Sequence, residues 1–213
     1  MFSTRLGHQS GDNLRHASSE TKFGRGALLA FEQLGFTVDL AKATGQADHP
    51  WRLPALGAHG LNGPEVRTMV LRSVDPVTRQ LIAQTDVRST KVPGFRKDPR
   101  VAWHFFDPQT KVQVRANGRV TVHHDDEVTR TAWAAVPEAN KRNYATPSAP
   151  GLPVDDPSIS QAQAGAYTAA YANFSVLCAE ITFIDWLQLG DEHHRRAQFT
   201  WTGSDWRGAW VVP

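Results

Sequence analysis

Short runs of alternating polarity, rather than long helical stripes, dominate the hydrophobic pattern of this chain. Val112, Val114 and Ala116 interleave with Gln113, Arg115 and Asn117, the period of a strand with one face in a core and Gln113 on the other. Residues 101–106 form a continuous apolar run and predict a buried strand, while Asn117-Gly118 suggests a turn into a further strand over 119–123. Residues 53–58 read as a first strand, and Leu61-Asn62-Gly63-Pro64 as the turn that follows it. Two further apolar runs, 68–71 and 81–83, flank Asp75-Pro76; read as a hairpin, they put Arg67 and Arg72 on its first strand. Near the C-terminus residues 175–184, 198–202 and 206–212 read as strands, with Gly203-Ser204-Asp205 as a turn.

Helical spacing is confined to shorter pieces. Leu28, Leu29, Phe31 and Leu34, then Val38, Leu40, Ala41 and Ala43, predict one or two short helices divided at Gly35. Residues 125–135, 137–145 and the alanine-rich 161–172 also read as helical, and the proline-rich 146–160 as a loop. Residues 1–26 are polar and without period, the pattern of a mobile arm, leaving 27–213 as a single domain. Many short strands with a few helices at the edges predict a mainly β fold, a barrel with peripheral helices.

Composition narrows the function. The chain of 213 residues is 40% hydrophobic and 21% charged, enough for one sizeable core. Its formal net charge is only +2 and its basic residues are scattered, which argues against nucleic acid as the partner. The lone Cys178 excludes an internal disulfide and a cysteine-built zinc site, and suits a reducing cytoplasm. The chain shows neither a membrane-length apolar run nor a signal-peptide pattern, so a cytoplasmic protein without a membrane partner is expected. The sequon Asn173-Phe174-Ser175 is then coincidental.

Candidate chemistry concentrates in Thr85-Asp86-Val87-Arg88-Ser89-Thr90-Lys91. Three hydroxyls and two cations in seven residues suit a phosphate group, since hydroxyls direct hydrogen bonds and cations offset the charge. A polar turn with solvated charges is the alternative. Dinucleotide, P-loop, zincin and nucleophile-elbow motifs are all missing from the sequence. The clusters His123-His124-Asp125-Asp126-Glu127 and Asp191-Glu192-His193-His194 read as solvated loops and not metal sites, because adjacent strand residues point to opposite faces.

Arg67-x-x-Val70-Leu71-Arg72, Thr85-Asp86-x-Arg88-Ser89-x-Lys91 and Gln113-Val114-x-x-x-Gly118, in this order, resemble the pyridoxamine 5'-phosphate oxidase-like family of FMN-binding split barrels. The similarity spans residues 49–213 and ends in a family-like Trp210-x-x-Pro213 tail. It implies a split barrel binding FMN at a homodimer interface. Arg67, Thr68, Met69, Val70, Leu71 and Arg72 match the segment lying along the FMN. Thr85, Ser89, Thr90 and Lys91 match its phosphate and ribityl contacts, although the family's Arg-Lys pair is here Thr90-Lys91. Gln113 matches a glutamine on the flavin, Trp186 a tryptophan near the ring and Arg196 an arginine beyond it, with Arg195 the other register. A plain core tryptophan is the alternative reading of Trp186.

Towards a small-molecule substrate, Arg72 stands where the oxidases have lysine, and Arg142 with Thr146 resembles an Arg-x-x-x-Ser pair. The Gln-Ser segment expected next is replaced by Ser148-Ala149-Pro150-Gly151, and the C-terminal Arg-x-His is absent. In this resemblance Pro93-Gly94 implies a short or irregular helix after the phosphate loop. The implied function is an FMN-dependent oxidoreductase passing a hydride from a substrate to flavin N5. The alternatives are a flavin-binding protein without turnover and a deazaflavin-dependent reductase on the same barrel.

Overall fold

The structure, a computed structural model, describes residues 36–160 and 170–213. The expected arm over 1–26, the helical signals before residue 36 and most of the helix expected over 161–172 lie outside the described residues.

Among the described residues nine strands form one antiparallel sheet: β1 (Ala55–Gly60), β2 (Gly63–Thr68), β3 (Ser73–Asp75), β4 (Gln80–Asp86), β5 (Arg100–Asp107), β6 (Val112–His123), β7 (Phe174–Gln188), β8 (Arg195–Trp201) and β9 (Trp206–Val211). The order is β2-β1-β5-β6-β7-β4-β3, with β8 on the free part of β7 and β9 on β8. β7 is the longest strand, fifteen residues. One edge pairs with β6 from Val176 to Gln188; the other pairs with β4 up to Glu180 and with β8 from Phe183 onward.

That change of partner coincides with an irregularity. Gly118 pairs with Ile181 and Asn117 with Phe183, so Thr182 is an extra residue on β7. Asn117-Gly118 therefore lies inside one long strand, opposite a bulge on β7, and is not the turn expected from the sequence. Glycine is required there because a Cβ on residue 118 would lie 2.0 Å from the Glu180 carbonyl oxygen.

The hairpin at Asp75-Pro76 is present, but its first arm is only β3. Arg67 sits on β2, and residues 69–72 form an extended connector instead of a strand. The Met69 and Leu71 amides donate to the Pro54 and Arg52 carbonyls, and the Arg72 amide donates to Ile82, so the connector carries the chain from the β1 side to β4. The apolar run in β5 is also one-sided: Val101, Trp103 and Phe105 are buried, whereas Phe106 is 44% exposed.

The barrel core is built from alternate residues, including Leu56, Leu71, Trp103, Phe105, Val114, Leu177, Ile184 and Phe199. α1 (Phe36–Gly45) closes against it with Leu40 and Ala43, and the Arg52 guanidinium donates to the carbonyls of Ala43 and Thr44 at its C-terminus. α2 (Lys91–Lys97) is short, as Pro93-Gly94 implied; Pro93 is tolerated in the first turn, and Gly94 packs so closely on β1 that a Cβ would lie 2.8 Å from the His59 carbonyl. α3 (Glu127–Ala134) starts at a reciprocal cap between Asp126 and Thr129 and is followed by α4 (Glu138–Lys141). With Trp133, Val136, Tyr144 and Phe174 these segments cover the outer face of the first half of β7 in a second apolar cluster. Cys178 is buried in that cluster, and burial pushes its thiol up to about 11. Among the described residues no helix is long and apolar enough to cross a membrane.

Gly118→Ala is expected to lower stability by about 1–3 kcal/mol, the usual cost of an overpacked interior, because the obstructing atom is backbone and cannot rotate away. Denaturant unfolding of the two proteins measures it.

Candidate functional site

The end of β4 and the start of α2 bring Thr85, Ser89 and Lys91 together. The Lys91 ammonium donates to Thr85 Oγ1 and to Ser89 Oγ, both at 2.8 Å, and both hydroxyl residues are buried. Ser89 is fixed by its amide's bond to the Asp86 carbonyl, and the Val92 amide bonds back to Ser89. Desolvation first, and the positive charge of Arg67 second, hold Lys91 below the ordinary lysine range, with Asp86 pulling the other way. Two cations thus lie near a buried pair of hydroxyls. Arg67 is tethered through Glu65, which is itself partly exposed. Thr90 stands exposed at the helix start without a side-chain cap bond.

Beside this pocket lies a network that sequence reasoning missed. Asp86, 7% exposed, accepts a fork from Arg88: Nε at 3.0 Å and Nη2 at 2.7 Å. The same guanidinium donates to the Thr146 carbonyl at 3.2 Å and to its hydroxyl at 3.1 Å. Thr146, expected near a substrate, is therefore bound to Arg88 in the segment between β4 and α2. Arg142 lies exposed in the 3₁₀ turn Arg142–Tyr144. Of the 67–72 segment, Met69 and Leu71 are buried in the core, Val70 and Arg72 half-buried, and Arg72 Nε has no hydrogen-bond partner. Its charge is felt at Tyr144, whose hydroxyl burial raises and Arg72 lowers.

Gln113 and Arg196 form a separate group. Both lie opposite Leu187, one on β6 and one on β8, on the outer face of the sheet. Thr85, by contrast, pairs with Ser175 at the other end of β7. Twelve residues of strand separate the two groups, about 40 Å along the backbone at roughly 3.3 Å per residue. Trp186 is on the opposite face from Gln113, 3% exposed, with Trp210 edge-on at 6.4 Å and the Arg195 guanidinium 5.6 Å from its ring. The outer-face residue of the two arginines is thus Arg196. It forks onto Asp185, a buried carboxylate that also accepts from Arg115 and Gln198. His123 is spent on Asp126 and His124 on the Ala172 carbonyl.

A family model described as the FMN-binding domain of pyridoxamine 5'-phosphate oxidase matches residues 36–124. Over these residues the chain is similar to the pyridoxamine 5'-phosphate oxidase-like family. The match contains Arg67, Thr85, Ser89, Lys91 and Gln113 but ends before Arg142, Thr146, Trp186 and Arg196. A pyridoxine/pyridoxamine 5'-phosphate oxidase 2 from Arabidopsis thaliana is 29% identical over 145 residues, covering 63% of this chain and 72% of that protein. Two solved structures share the split-barrel fold. One is a pyridoxamine 5'-phosphate oxidase-related, FMN-binding protein from Nostoc punctiforme, with a TM-score of 0.68, 22% identity and coverage of 84% of this chain and 96% of that one. The other is PhzG from Burkholderia lata, solved with tetrahydrophenazine-1-carboxylic acid, with a TM-score of 0.63, 16% identity and coverage of 96% and 100%.

Replacing Arg88 by Ala leaves the Asp86 carboxylate buried without its fork and frees the loop at Thr146. Discounted for the partial exposure of Arg88, the loss is expected to be about 2–3 kcal/mol, with limited proteolysis cutting near residues 146–152 faster than in the parent protein.

Proposed function

We propose that this chain is an FMN-binding oxidoreductase acting as a homodimer. The observation that carries the cofactor is Lys91. An ammonium depressed by desolvation and by a neighbouring guanidinium, with two hydroxyls at 2.8 Å, is arranged for an anion that neutralises both cations. Arg67, Thr85, Ser89 and Lys91 would hold the phosphate, while Val70 and Arg72 would line the path of the ribityl chain. When bound, the flavin supplies a two-electron acceptor for a small substrate. The residues orient it, keep its phosphate dry and donate hydrogen bonds to its ring.

The run of β7 supports the dimer. Gln113 and Arg196, the groups suited to the ring, sit at the far end of the strand from Thr85, beyond the reach of one flavin mononucleotide. The ring end of each site is therefore assigned to the partner, and a dimer contains two composite sites. Trp186 is buried in its own protomer's core, so its contribution is support beneath this face. The substrate is a small molecule whose identity is set by the cleft beside Arg72 and the 146–157 loop.

Lys91→Ala is expected to weaken FMN roughly tenfold to a hundredfold, by loss of a charge-assisted hydrogen bond, while riboflavin binding stays as it was. FMN affinity should also fall as pH rises. Bound phosphate raises the depressed Lys91 back towards its ordinary value, so binding takes up a proton above the free protein's lysine pKa, and affinity is lost as pH climbs through it. Titration of flavin fluorescence at several pH values reads both effects; equal affinity for riboflavin and FMN in the parent protein contradicts the phosphate site.

The composite site has its own test. Lys91→Ala and Gln113→Ala protomers, each weak in FMN binding as homodimers, are mixed and allowed to exchange subunits. A heterodimer in which one of the two sites regains parental affinity is expected, whereas uniformly weak sites contradict the sharing of residues across the dimer.

A further inference from the structure

Among the residues outside the phosphate pocket, Asp185 stands out chemically. It lies on the outer face of β7, directly opposite Arg115 on β6 and Gln198 on β8, and is only 2% exposed. Arg115 Nη2 donates to its Oδ2 at 2.5 Å and Gln198 Nε2 at 2.9 Å. Arg196, diagonal to it, forks onto both oxygens: Nε to Oδ1 at 2.9 Å and Nη2 to Oδ2 at 2.7 Å. Burial raises the Asp185 carboxyl, but the hydrogen bonds from Arg196, Gln198 and Arg115 outweigh it and hold it at about 2. A buried charge of this kind is a poor device for stability alone, since an apolar side chain in the same place usually serves the fold as well. What it does supply is direction: a planar fork fixes the guanidinium in two dimensions, which a single contact does not.

We propose that Asp185 is a positioning residue for Arg196, locking its guanidinium plane so that the remaining Nη1 donates toward the isoalloxazine end of the flavin site alongside Gln113. The inference rests on the placement of Arg196 at the ring end under the reading above. Arg115 has a distinct part. It shares the carboxylate, so two cations face one anion and the cluster keeps a net positive charge on the face where Gln113 also lies. That charge suits an electron-rich ring edge. Because Nε and one N–H of Nη2 are bound to Asp185, the N–H groups left to act on a ligand lie on the far side of the fork, and their direction depends on the carboxylate.

The test is a double-mutant cycle on flavin binding by the full-length dimer, with thermal unfolding run in parallel. Asp185→Asn and Arg196→Ala are each expected to weaken FMN and riboflavin by the same factor, roughly tenfold for one lost charge-assisted bond. Equal factors are expected because the loss is at the ring and not at the phosphate. The double variant should bind no more weakly than Arg196→Ala alone, since Asp185 acts only through that arginine. Effects that multiply, or an Asp185→Asn protein with parental affinity beside a weakened Arg196→Ala, overturn the positioning role and leave the FMN site standing. Unchanged binding by Arg196→Ala overturns the positioning role together with the ring-end placement, whereas the phosphate end is judged independently by Lys91→Ala. Should Asp185→Asn fail to fold, Arg196→Lys takes its place. It keeps the charge but cannot make the fork, so it should bind flavin about as weakly as Arg196→Ala; parental affinity overturns the proposal.

Discussion

The unbroken pairing of β7 with β6 is the constraint on which everything else in this protein depends. Thirteen consecutive residues of β7, from Val176 to Gln188, run beside β6, and Thr182 is the one that has no partner there. On its other edge β7 serves β4 first and β8 afterwards. A strand this long cannot remain flat in a barrel, and the bulge opposite Asn117-Gly118 is where the extra bend is absorbed. Its outer face is likewise divided. The first half lies under the aromatic cluster of Trp133, Tyr144 and Phe174, while the second half presents Asp185 and Leu187 between Gln113, Arg115 and Arg196. One strand therefore sets the distance between the Thr85, Ser89 and Lys91 cluster and the face that carries Gln113 and Arg196.

Local physics made part of this legible before any coordinates. The alternation in residues 112–116 predicted which face of β6 holds Gln113, and Val114 and Ala116 are indeed fully buried. The hydroxyl and cation cluster around Lys91 was legible because all its members lie within seven residues, so a single turn brings them together. What stayed hidden involves partners distant in sequence. Asn-Gly looks like a turn until the Glu180 carbonyl is known to lie against residue 118. Residues 69–72 look like a strand because extended backbone has the same pattern whether it pairs along a sheet or bridges two parts of it. The run in residues 101–106 read as a buried strand, since composition does not show that Phe106 stands 44% exposed among the described residues.

The same distinction divides the functional residues. Arg88 and Thr146 are 58 positions apart, and no local signal joins them. Their contact ties the anion pocket to the loop that would border the substrate. Trp186 and Arg196 were read together because both match family residues near the flavin ring, yet the turn between β7 and β8 puts them on opposite faces. Position along a strand decides the face only while the strand is continuous. Once the chain reverses, the cross-strand register takes over, and it selects Arg196 for Gln113's face and Arg195 for the Trp186 ring.

Charge placement links the two ends of β7. At the Lys91 end a desolvated ammonium lies near Arg67, which is paired with Glu65, and Asp86 offsets the charge on Lys91 only in part, so the pocket is suited to an anionic ligand. At the Arg196 end the opposite arrangement holds. The cations are already tied to a buried carboxylate, and what they offer a ligand is a fixed direction with a modest residual charge. A phosphate needs the first kind of site, because its charge is concentrated and its hydrogen-bonding is tolerant of rotation. A flavin ring needs the second, because its charge is spread and its edge accepts hydrogen bonds only in plane. The two groups differ in the way that the two ends of FMN differ, and because β7 keeps them apart within one chain, the proposed reading brings them together on one cofactor only through a second copy.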